Sequence, residues 1–153
     1  MTDTDSAAPT WASYHTATPY LVIRDAARAI AFYTEVFGAT ELRREVDPGG
    51  KIGHAEIKIG DSPIMLADEF EEFPAMRSPQ ALGGSPAHLY LVVADVDAVA
   101  RRAVAAGATE LMPVADQRDG DRRGGVRDPF GHIWWIATHT TDSPPADRAP
   151  ERS

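Results

Sequence analysis

The chain contains no cysteine and no long apolar run, and no export signal is visible in residues 1–12. Without cysteine there are no disulfide bonds, thiolate metal sites or cysteine nucleophiles, and the redox compartment is left open. No apolar run approaches the roughly 18 residues of a membrane-spanning helix, so we expect no membrane partner. The first residues also lack the basic and apolar segments of a secretory signal, which makes a cytoplasmic location the default expectation.

Positive charge is scarce as well. The sequence has 15 Lys and Arg against 23 Asp and Glu, which gives a formal net charge of -8. An acidic chain without a basic stripe is a poor partner for a phosphate backbone, so we expect no nucleic-acid partner. One local basic cluster (Arg118, Arg122 and Arg123) is interleaved with aspartates. It predicts either a solvated loop or a loop that carries an arginine to an anionic or carbonyl group.

The length and composition indicate one compact domain. The chain has 153 residues, of which 43% are hydrophobic, as in ordinary globular proteins. Residues 1–13 are small and polar, and residues 141–153 combine prolines with charges, so both ends are predicted to be disordered. We therefore expect a single domain over residues 14–140.

An internal repeat is the strongest pattern in the chain. Residues 20–25 (YLVIRD) return 70 residues later as residues 90–95 (YLVVAD). Each copy continues with a helix-length stretch that ends in the same letters, GATEL, at 38–42 and 107–111. Two copies with so long a period do not make a solenoid, so the repeat indicates a duplicated supersecondary module. Such a fold is expected to place an active site in the cleft between the copies.

Each copy is predicted to have the element order βαβββ. Asp25 and Asp95 are good helix N-caps, and Gly38 and Gly107 are expected at the helix ends. Strand patterns precede and follow each helix. Module one is predicted over 14–68, a connector over 69–86 and module two over 87–140, and the fold class is α+β. The predicted strands are residues 18–23, 40–46, 54–59 and 64–67, then 88–93, 109–114, 124–127 and 133–138.

Strand alternation separates two sets of side chains. One set is strongly apolar and is expected to pack beneath the helices. The other mixes aromatic, polar and ionisable groups, which is typical of a ligand cleft rather than of a core or a solvent face. The members of this second set are Thr18, Tyr20, His54, Glu56, Met65, His88, Tyr90 and Trp135.

The sequence resembles a known family. The duplicated module, the Phe32-Tyr33 pair, the helix exit at Gly38-Ala39 and residues 128–131 (DPFG) are similar to the vicinal-oxygen-chelate superfamily of glyoxalases, bleomycin-resistance proteins and extradiol dioxygenases. Residues 54–57 (HAEI) and 128–135 (DPFGHIWW) resemble its PhnB-like branch. The resemblance implies a glyoxalase-like fold, in which two tandem βαβββ modules form a paired, curved mixed sheet with a cleft, and it implies a homodimer.

Metal-dependent members of this family carry one ligand on the first and last strand of each module. In this sequence these positions fall on Thr18, at or next to Met65, on His88 and on Trp135. Only His88 is a plausible ligand, so the resemblance implies no cofactor at the usual site. An alternative set of His54, Glu56 and His88 stays open for zinc, nickel, manganese or iron.

Individual residues allow more than one role. His88 is either a hydrogen-bonded surface histidine or a ligand contact that could act as a general base. Trp135 either stacks on a flat ligand or fills an empty cleft. Arg122 is a candidate for binding an anionic or carbonyl group. His132 and His139 are predicted to be surface residues.

Two functions follow as hypotheses. The first is a small-molecule binding protein of the bleomycin-resistance kind, which holds a planar or aromatic compound without a typical metal site. The alternative is a divalent-metal-dependent lyase, isomerase or dioxygenase of the vicinal-oxygen-chelate type. A metal-free lyase or isomerase with His88 as general base lies between them, so whether the protein is an enzyme stays open. The predicted ligand contacts are Tyr20, His54, Glu56, Met65, His88, Tyr90, Trp135 and Arg122.

Overall fold

The structure is a computed structural model and describes residues 14–139. The predictions for residues 1–13 and 141–153 lie outside the described residues. The chain divides into two compact units after Ser78. The connector predicted over 69–86 is thus shared, with 69–78 in the first unit and 79–86 in the second.

The first unit has the predicted order βαβββ. Its four strands form a mixed sheet in the order β1-β4-β3-β2, in which β1 runs parallel to β4 and the other pairs are antiparallel. The elements are β1 (Tyr20–Ile23), α1 (Ala26–Phe37), β2 (Thr40–Val46), β3 (Ile52–Ile59) and β4 (Ser62–Asp68).

The second unit repeats this topology, with sheet order β5-β8-β7-β6, and the α+β class is confirmed. A short helix that was not predicted precedes it. Strand β7 begins at Asp121, earlier than predicted, so Arg122 and Arg123 lie on a strand rather than in a loop. The elements are α2 (Pro79–Leu82), β5 (His88–Val92), α3 (Val96–Ala105), β6 (Thr109–Asp116), β7 (Asp121–Arg127) and β8 (Ile133–His139).

Both long helices begin at the predicted aspartates. The Asp25 carboxylate accepts a hydrogen bond from the backbone N–H of Arg28 at 3.2 Å, and that of Asp95 accepts one from Ala98 at 3.1 Å. These side chains satisfy amide groups that have no partner within the helix. Helix α1 ends at Gly38, whose φ of 70° is the left-handed conformation that favours glycine.

A second tie fixes the start of each helix to the last strand of its module. Both oxygens of Asp68 accept hydrogen bonds of 2.7 Å, one from the N–H of Ala26 and one from that of Ile52. At the equivalent position of the second unit, Thr138 accepts a hydrogen bond of 2.9 Å from the N–H of Val96. The two copies therefore keep the contact but use different side chains for it.

Each sheet buries one face against its helix, as strand alternation predicts. Ile23, Ile57 and Leu66 are buried in the first unit, and Trp134 and Ile136 are buried in the second. None of the helices within residues 14–139 is long and apolar enough to cross a bilayer. The opposite face of each sheet is thus left to the mixed set of aromatic and polar side chains.

The DPFG segment has a structural role. Asp128 is 3% exposed and accepts hydrogen bonds from the backbone N–H of Phe130 at 2.9 Å, from that of His132 at 3.0 Å, and from the indole N–H of Trp134 at 2.9 Å. The carboxylate therefore closes the turn between β7 and β8 and anchors a core tryptophan. His132 is 6% exposed, so its prediction as a surface residue is wrong, because this turn folds inward.

Candidate functional site

In the second unit, Tyr90 and Trp135 lie side by side on the sheet face opposite the helix. They are register partners on the neighbouring parallel strands β5 and β8. The indole Nε1 of Trp135 donates a hydrogen bond of 3.0 Å to Nδ1 of His88. Because Nδ1 accepts this bond, the neutral imidazole carries its proton on Nε2. His88 is exposed, and it presents a hydrogen-bond donor at its outer edge.

Trp135 lies directly against the backbone of the next strand. A Cβ atom placed on Gly125 would come within 2.4 Å of Cζ3 of the Trp135 ring. Only glycine leaves room for the ring in this position. Strand β7 therefore supplies a flat surface on which the indole is fixed.

An arginine lies beside the aromatic pair. Arg123 donates a hydrogen bond of 3.0 Å to the Tyr90 hydroxyl and forms an ion pair of 3.1 Å with Asp119. Its guanidinium lies 5.8 Å from the centre of the Tyr90 ring. The hydrogen bond to Tyr90 is the main cause that raises the pKa of Arg123, so this group stays cationic.

Arg122, which the sequence favoured, lies on the helix side of the same strand. Two of its nitrogens bind the carboxylate of Asp97 at 2.8 and 3.0 Å, and a third binds Asp116 at 3.1 Å. These pairs raise the pKa of Arg122 and lower that of Asp97. Of the predicted ligand contacts in the second unit, the structure brings together Tyr90, His88 and Trp135, and it places Arg122 elsewhere.

The first unit carries the matching face. Across its strands the register aligns Tyr20 with Met65, Met65 with Glu56, and Glu56 with Arg43. The second unit aligns four residues in the same way, namely Tyr90, Trp135, Gly125 and Met112. In the second copy a glycine stands where the first has Glu56, and this is the position against which the larger Trp135 ring packs.

Glu56 is a buried carboxylate on this face. It is 1% exposed, and its Oε1 lies 3.0 Å from Nε2 of His54. Burial alone would raise its pKa, but hydrogen bonds from Tyr14 and His54 and the positive charges of His54 and Arg43 outweigh burial, and the pKa lies below its usual value. Glu56 is therefore an anion that orients His54.

Tyr20 and Thr18 complete the predicted set in the first unit. The Tyr20 ring lies 6.0 Å from the His54 ring, and burial raises the pKa of its hydroxyl. The hydroxyl of Thr18 donates a hydrogen bond of 3.3 Å to the backbone oxygen of His15. The structure thus groups Tyr20, His54, Glu56 and Met65 on one sheet face, as strand alternation predicts.

The family resemblance places the metal-ligand positions on Thr18, at or next to Met65, on His88 and on Trp135. Of the residues named at these positions, only His88 is a typical ligand for a divalent ion. Within residues 14–139, no three His, Cys, Asp or Glu side chains are grouped so that they could hold a metal ion. His54 and Glu56 bring two donors together, whereas a catalytic zinc site generally needs three protein ligands.

The predicted ligand contacts left out three residues that the structure places near them. Arg123 was grouped with Arg122 in a predicted loop because the strand was expected to begin after both, although it lies on the same sheet face as Gly125 and Trp135. Gly125 carried a usable signal, since a glycine inside a strand often marks a close approach. Tyr14, which interacts with Glu56, carried none, because it precedes the first strand.

The family assignment follows from comparison with known sequences. The model of the Glyoxalase/Bleomycin resistance protein/Dioxygenase superfamily matches residues 13–136. The chain belongs to this superfamily, and the resemblance inferred from its motifs is confirmed.

Among individual proteins, the chain is 47% identical over 118 residues to the uncharacterized protein Rv0887c of Mycobacterium tuberculosis (strain H37Rv), covering 76% of this chain and 69% of that protein. It is 27% identical over 120 residues to the uncharacterized protein At5g48480 of Arabidopsis thaliana, covering 74% and 71%.

Solved structures share the fold. TioX from Micromonospora sp. ML1 is 28% identical, with a TM-score of 0.62 over 85% of this chain and 100% of that chain. A PhnB protein from Bacillus cereus, described as a putative 3-demethylubiquinone-9 3-methyltransferase, is 19% identical, with a TM-score of 0.65 over 81% and 99%. The fosfomycin resistance protein FosX of Listeria monocytogenes is 16% identical, with a TM-score of 0.65 over 88% and 98%. The last two show the fold alone.

Proposed function

We propose that this protein binds a small planar or aromatic molecule and that it does so without the metal site of its family. The observation that carries the proposal is the position of Trp135, which Gly125 and His88 fix on the sheet face next to Tyr90. Tyr90 is 52% exposed, so apolar surface is available there. Aromatic surface with a few fixed polar groups is typical of small-molecule sites.

The polar groups beside Trp135 favour a ligand with a hydrogen-bond acceptor. The outer edge of His88 offers an N–H donor, and Arg123 offers a guanidinium that Tyr90 and Asp119 hold in place. A carbonyl or carboxylate group on the ligand would match both. The same geometry favours His88 as a donor over His88 as a general base, because Nδ1 already accepts the indole proton.

The first unit carries its own set of predicted contacts. Tyr20 and Met65 offer apolar surface, and Glu56 holds His54 beside them. We propose that these four side chains are the ligand contacts of the first unit. The buried carboxylate keeps its charge through His54, Arg43 and Tyr14, which makes it a fixed polar feature of that face.

The test is ligand binding measured by tryptophan fluorescence. A panel of aromatic carboxylates and ketones should quench the emission of Trp135 in a saturable way. Trp135→Ala should weaken binding roughly five- to thirtyfold, since an aromatic contact of this size contributes about 1–2 kcal/mol. Because this variant lacks the Trp135 fluorophore, its ligand affinity is measured by calorimetry. Phe73→Ala serves as the control, because it removes another exposed aromatic side chain. Equal affinity in the Trp135→Ala protein would refute the proposal.

The metal-dependent alternative rests on the His54–Glu56 pair. A lyase, isomerase or dioxygenase of the family type would need a third ligand to join these two side chains. Elemental mass spectrometry after incubation with zinc, nickel, manganese or iron(II) tests it. Stoichiometric metal that survives desalting and is lost in His54→Ala would support this alternative over the first proposal.

Two further expectations stay proposals, one from the family resemblance and one from the composition of the first residues. We propose that the protein is a homodimer, which light scattering on the purified chain would test by mass. We also propose a cytoplasmic location, which fractionation of the source cells would test.

A further inference from the structure

A concave surface lies on the helix side of the sheet in the second unit. It is an open cavity of about 610 Å³ that is lined by residues of α3, β6 and β7. The ligand contacts proposed above point to the opposite face of this sheet. The cavity is therefore a feature that the proposed function does not use.

The repeat explains why the cavity exists. Ala100 of α3 lines it, and the equivalent residue of the first copy, 70 positions earlier, is Ile30. Ile30 is only 3% exposed, so in the first copy this side chain fills the space beneath the helix. Strand β6 is also irregular, with shifts of register on both sides of Met112. Pro113 within it has no N–H to donate to the sheet.

The walls of the cavity are aliphatic. Val104, Val114 and Val126 line it, and none of the described residues around it is aromatic. Val104 remains 45% exposed. Apolar surface that lies open within a concavity of this size favours a ligand that covers it.

Two exposed charges of opposite sign, Arg101 and Glu110, line the same cavity. Asp97 also lines it, but Arg122 binds this carboxylate through two hydrogen bonds. The side chains of Arg101 and Glu110 form no hydrogen bond or ion pair within residues 14–139, although the charge of Arg101 helps to lower the pKa of Asp97. The cavity therefore combines an aliphatic floor, one available cation and one available anion.

We propose that this cavity binds an aliphatic α-amino acid in its zwitterionic form. The ligand carboxylate pairs with Arg101, the ammonium group pairs with Glu110, and the side chain covers Val104 and the neighbouring aliphatic wall. A ligand with only one charge would leave one of the two protein charges unmatched. The proposal goes beyond the aromatic-ligand function and uses other side chains.

The probe is L-leucine, added to the full-length ¹⁵N-labelled protein and followed by two-dimensional NMR. Saturable shifts of the amides around Ala100 and Glu110 are expected. Three analogues each lack one feature: 4-methylpentanoate has no ammonium, 3-methylbutylamine has no carboxylate, and glycine has no apolar body. Each should bind roughly tenfold more weakly or worse. The first two lose a charge-assisted hydrogen bond, and glycine loses the apolar contact with the aliphatic wall. Equal binding of 4-methylpentanoate, or no shifts with leucine, would overturn the proposal.

Variants locate the site. Ala100→Ile restores the residue of the first copy, so it should fill the cavity and abolish leucine binding. Arg101→Gln and Glu110→Gln should each weaken binding about tenfold without changing packing, which keeps the test decisive should Ala100→Ile perturb the fold. Lys58→Gln and Glu35→Gln are controls with the same charge changes in the first unit. Leucine binding that persists unchanged in Arg101→Gln and Glu110→Gln contradicts the assignment.

Discussion

The indole N–H of Trp135 donates a hydrogen bond of 3.0 Å to Nδ1 of His88. The bond joins two residues that are 47 positions apart in the chain, one on β8 and one on β5. It fixes the orientation of the indole and the tautomer of the imidazole at once. The sheet face next to Tyr90 thus has a defined pattern of apolar surface and hydrogen-bond donors.

Replacing Trp135 by phenylalanine should remove the hydrogen bond that selects the tautomer of His88. Trp135→Phe keeps an aromatic ring but removes the donor, so neutral His88 should become a mixture of tautomers rather than the Nε2–H form alone. The ¹⁵N shifts of the imidazole report this directly. Tyr90→Phe keeps the indole and is the control. An unchanged tautomer in Trp135→Phe would show that the indole does not set it.

Gly125→Ala should displace the indole. The added methyl group would lie 2.4 Å from the Trp135 ring, so the ring or the strand must move. We expect a loss of about 1–3 kcal/mol in the free energy of unfolding, as for other overpacked sites. Urea unfolding followed by fluorescence measures it. Gly53→Ala is the matched control, since its Cβ would meet nothing within 4 Å. Equal stability of the two variants would contradict the packing described for Trp135.

Glu69 should make stability depend on pH in the acid range. A hydrogen bond from the Ser78 side chain is the main cause that lowers its pKa to about 2, from an ordinary value of 4.5, with Arg24 at 2.7 Å contributing as well. The pKa is lower in the folded state, so the carboxylate stabilises the fold fully above pH 4.5, and this contribution is lost as the pH falls towards about 2.

Glu69→Gln tests this assignment. It should cost roughly 1–2 kcal/mol at neutral pH, after allowance for solvent screening, and the difference from the unmodified chain should vanish near the acid end. Urea unfolding at a series of pH values measures it. Glu72→Gln is the control for a neighbouring surface carboxylate. If the difference in the free energy of unfolding does not change with pH, the charge of Glu69 is not what stabilises the fold.

Asp128→Ala should destabilise the whole second unit. It removes the carboxylate that accepts hydrogen bonds from the N–H groups of Phe130, His132 and Trp134, and we expect a loss of about 3 kcal/mol or more. Asp128→Asn keeps one acceptor oxygen and should cost less. Thermal unfolding of both variants, with Asp61→Ala as an exposed control, measures the ranking. If Asp128→Ala unfolds at the temperature of the control, the structural role of this carboxylate is wrong.

Local signals allowed much of the fold to be predicted. Asp25, Asp95 and Gly38 act at helix ends, and their roles depend only on neighbouring backbone groups. Strand parity assigned His54, Glu56 and Met65 to one face and Trp134 to the core, since alternation is a property of the strand itself. The family motifs added, through resemblance, the expectation that the strands of the two modules form mixed sheets.

The wrong predictions concern residues whose position depends on a strand boundary or on a partner that is distant in the sequence. The polar run before Gly124 looks like a loop, but pairing with β8 extends the strand back to Asp121. Because neighbouring residues of a strand point to opposite faces of the sheet, this extension places Arg122 and Arg123 on different faces. Likewise, His132 looks exposed in a turn, and only the contacts of Asp128 with the turn and with Trp134 show that it is buried.

The sequence by itself determined the duplicated βαβββ modules, their superfamily, and the sheet faces on which Tyr20, His54, Tyr90 and Trp135 lie. Only the tertiary structure decided that Arg123 rather than Arg122 reaches Tyr90, and that His88 accepts the indole proton. The physical reason is that these hydrogen bonds join residues 33 and 47 positions apart. Periodicity specifies the face of each strand, whereas the distance between side chains on different strands depends on the folded register.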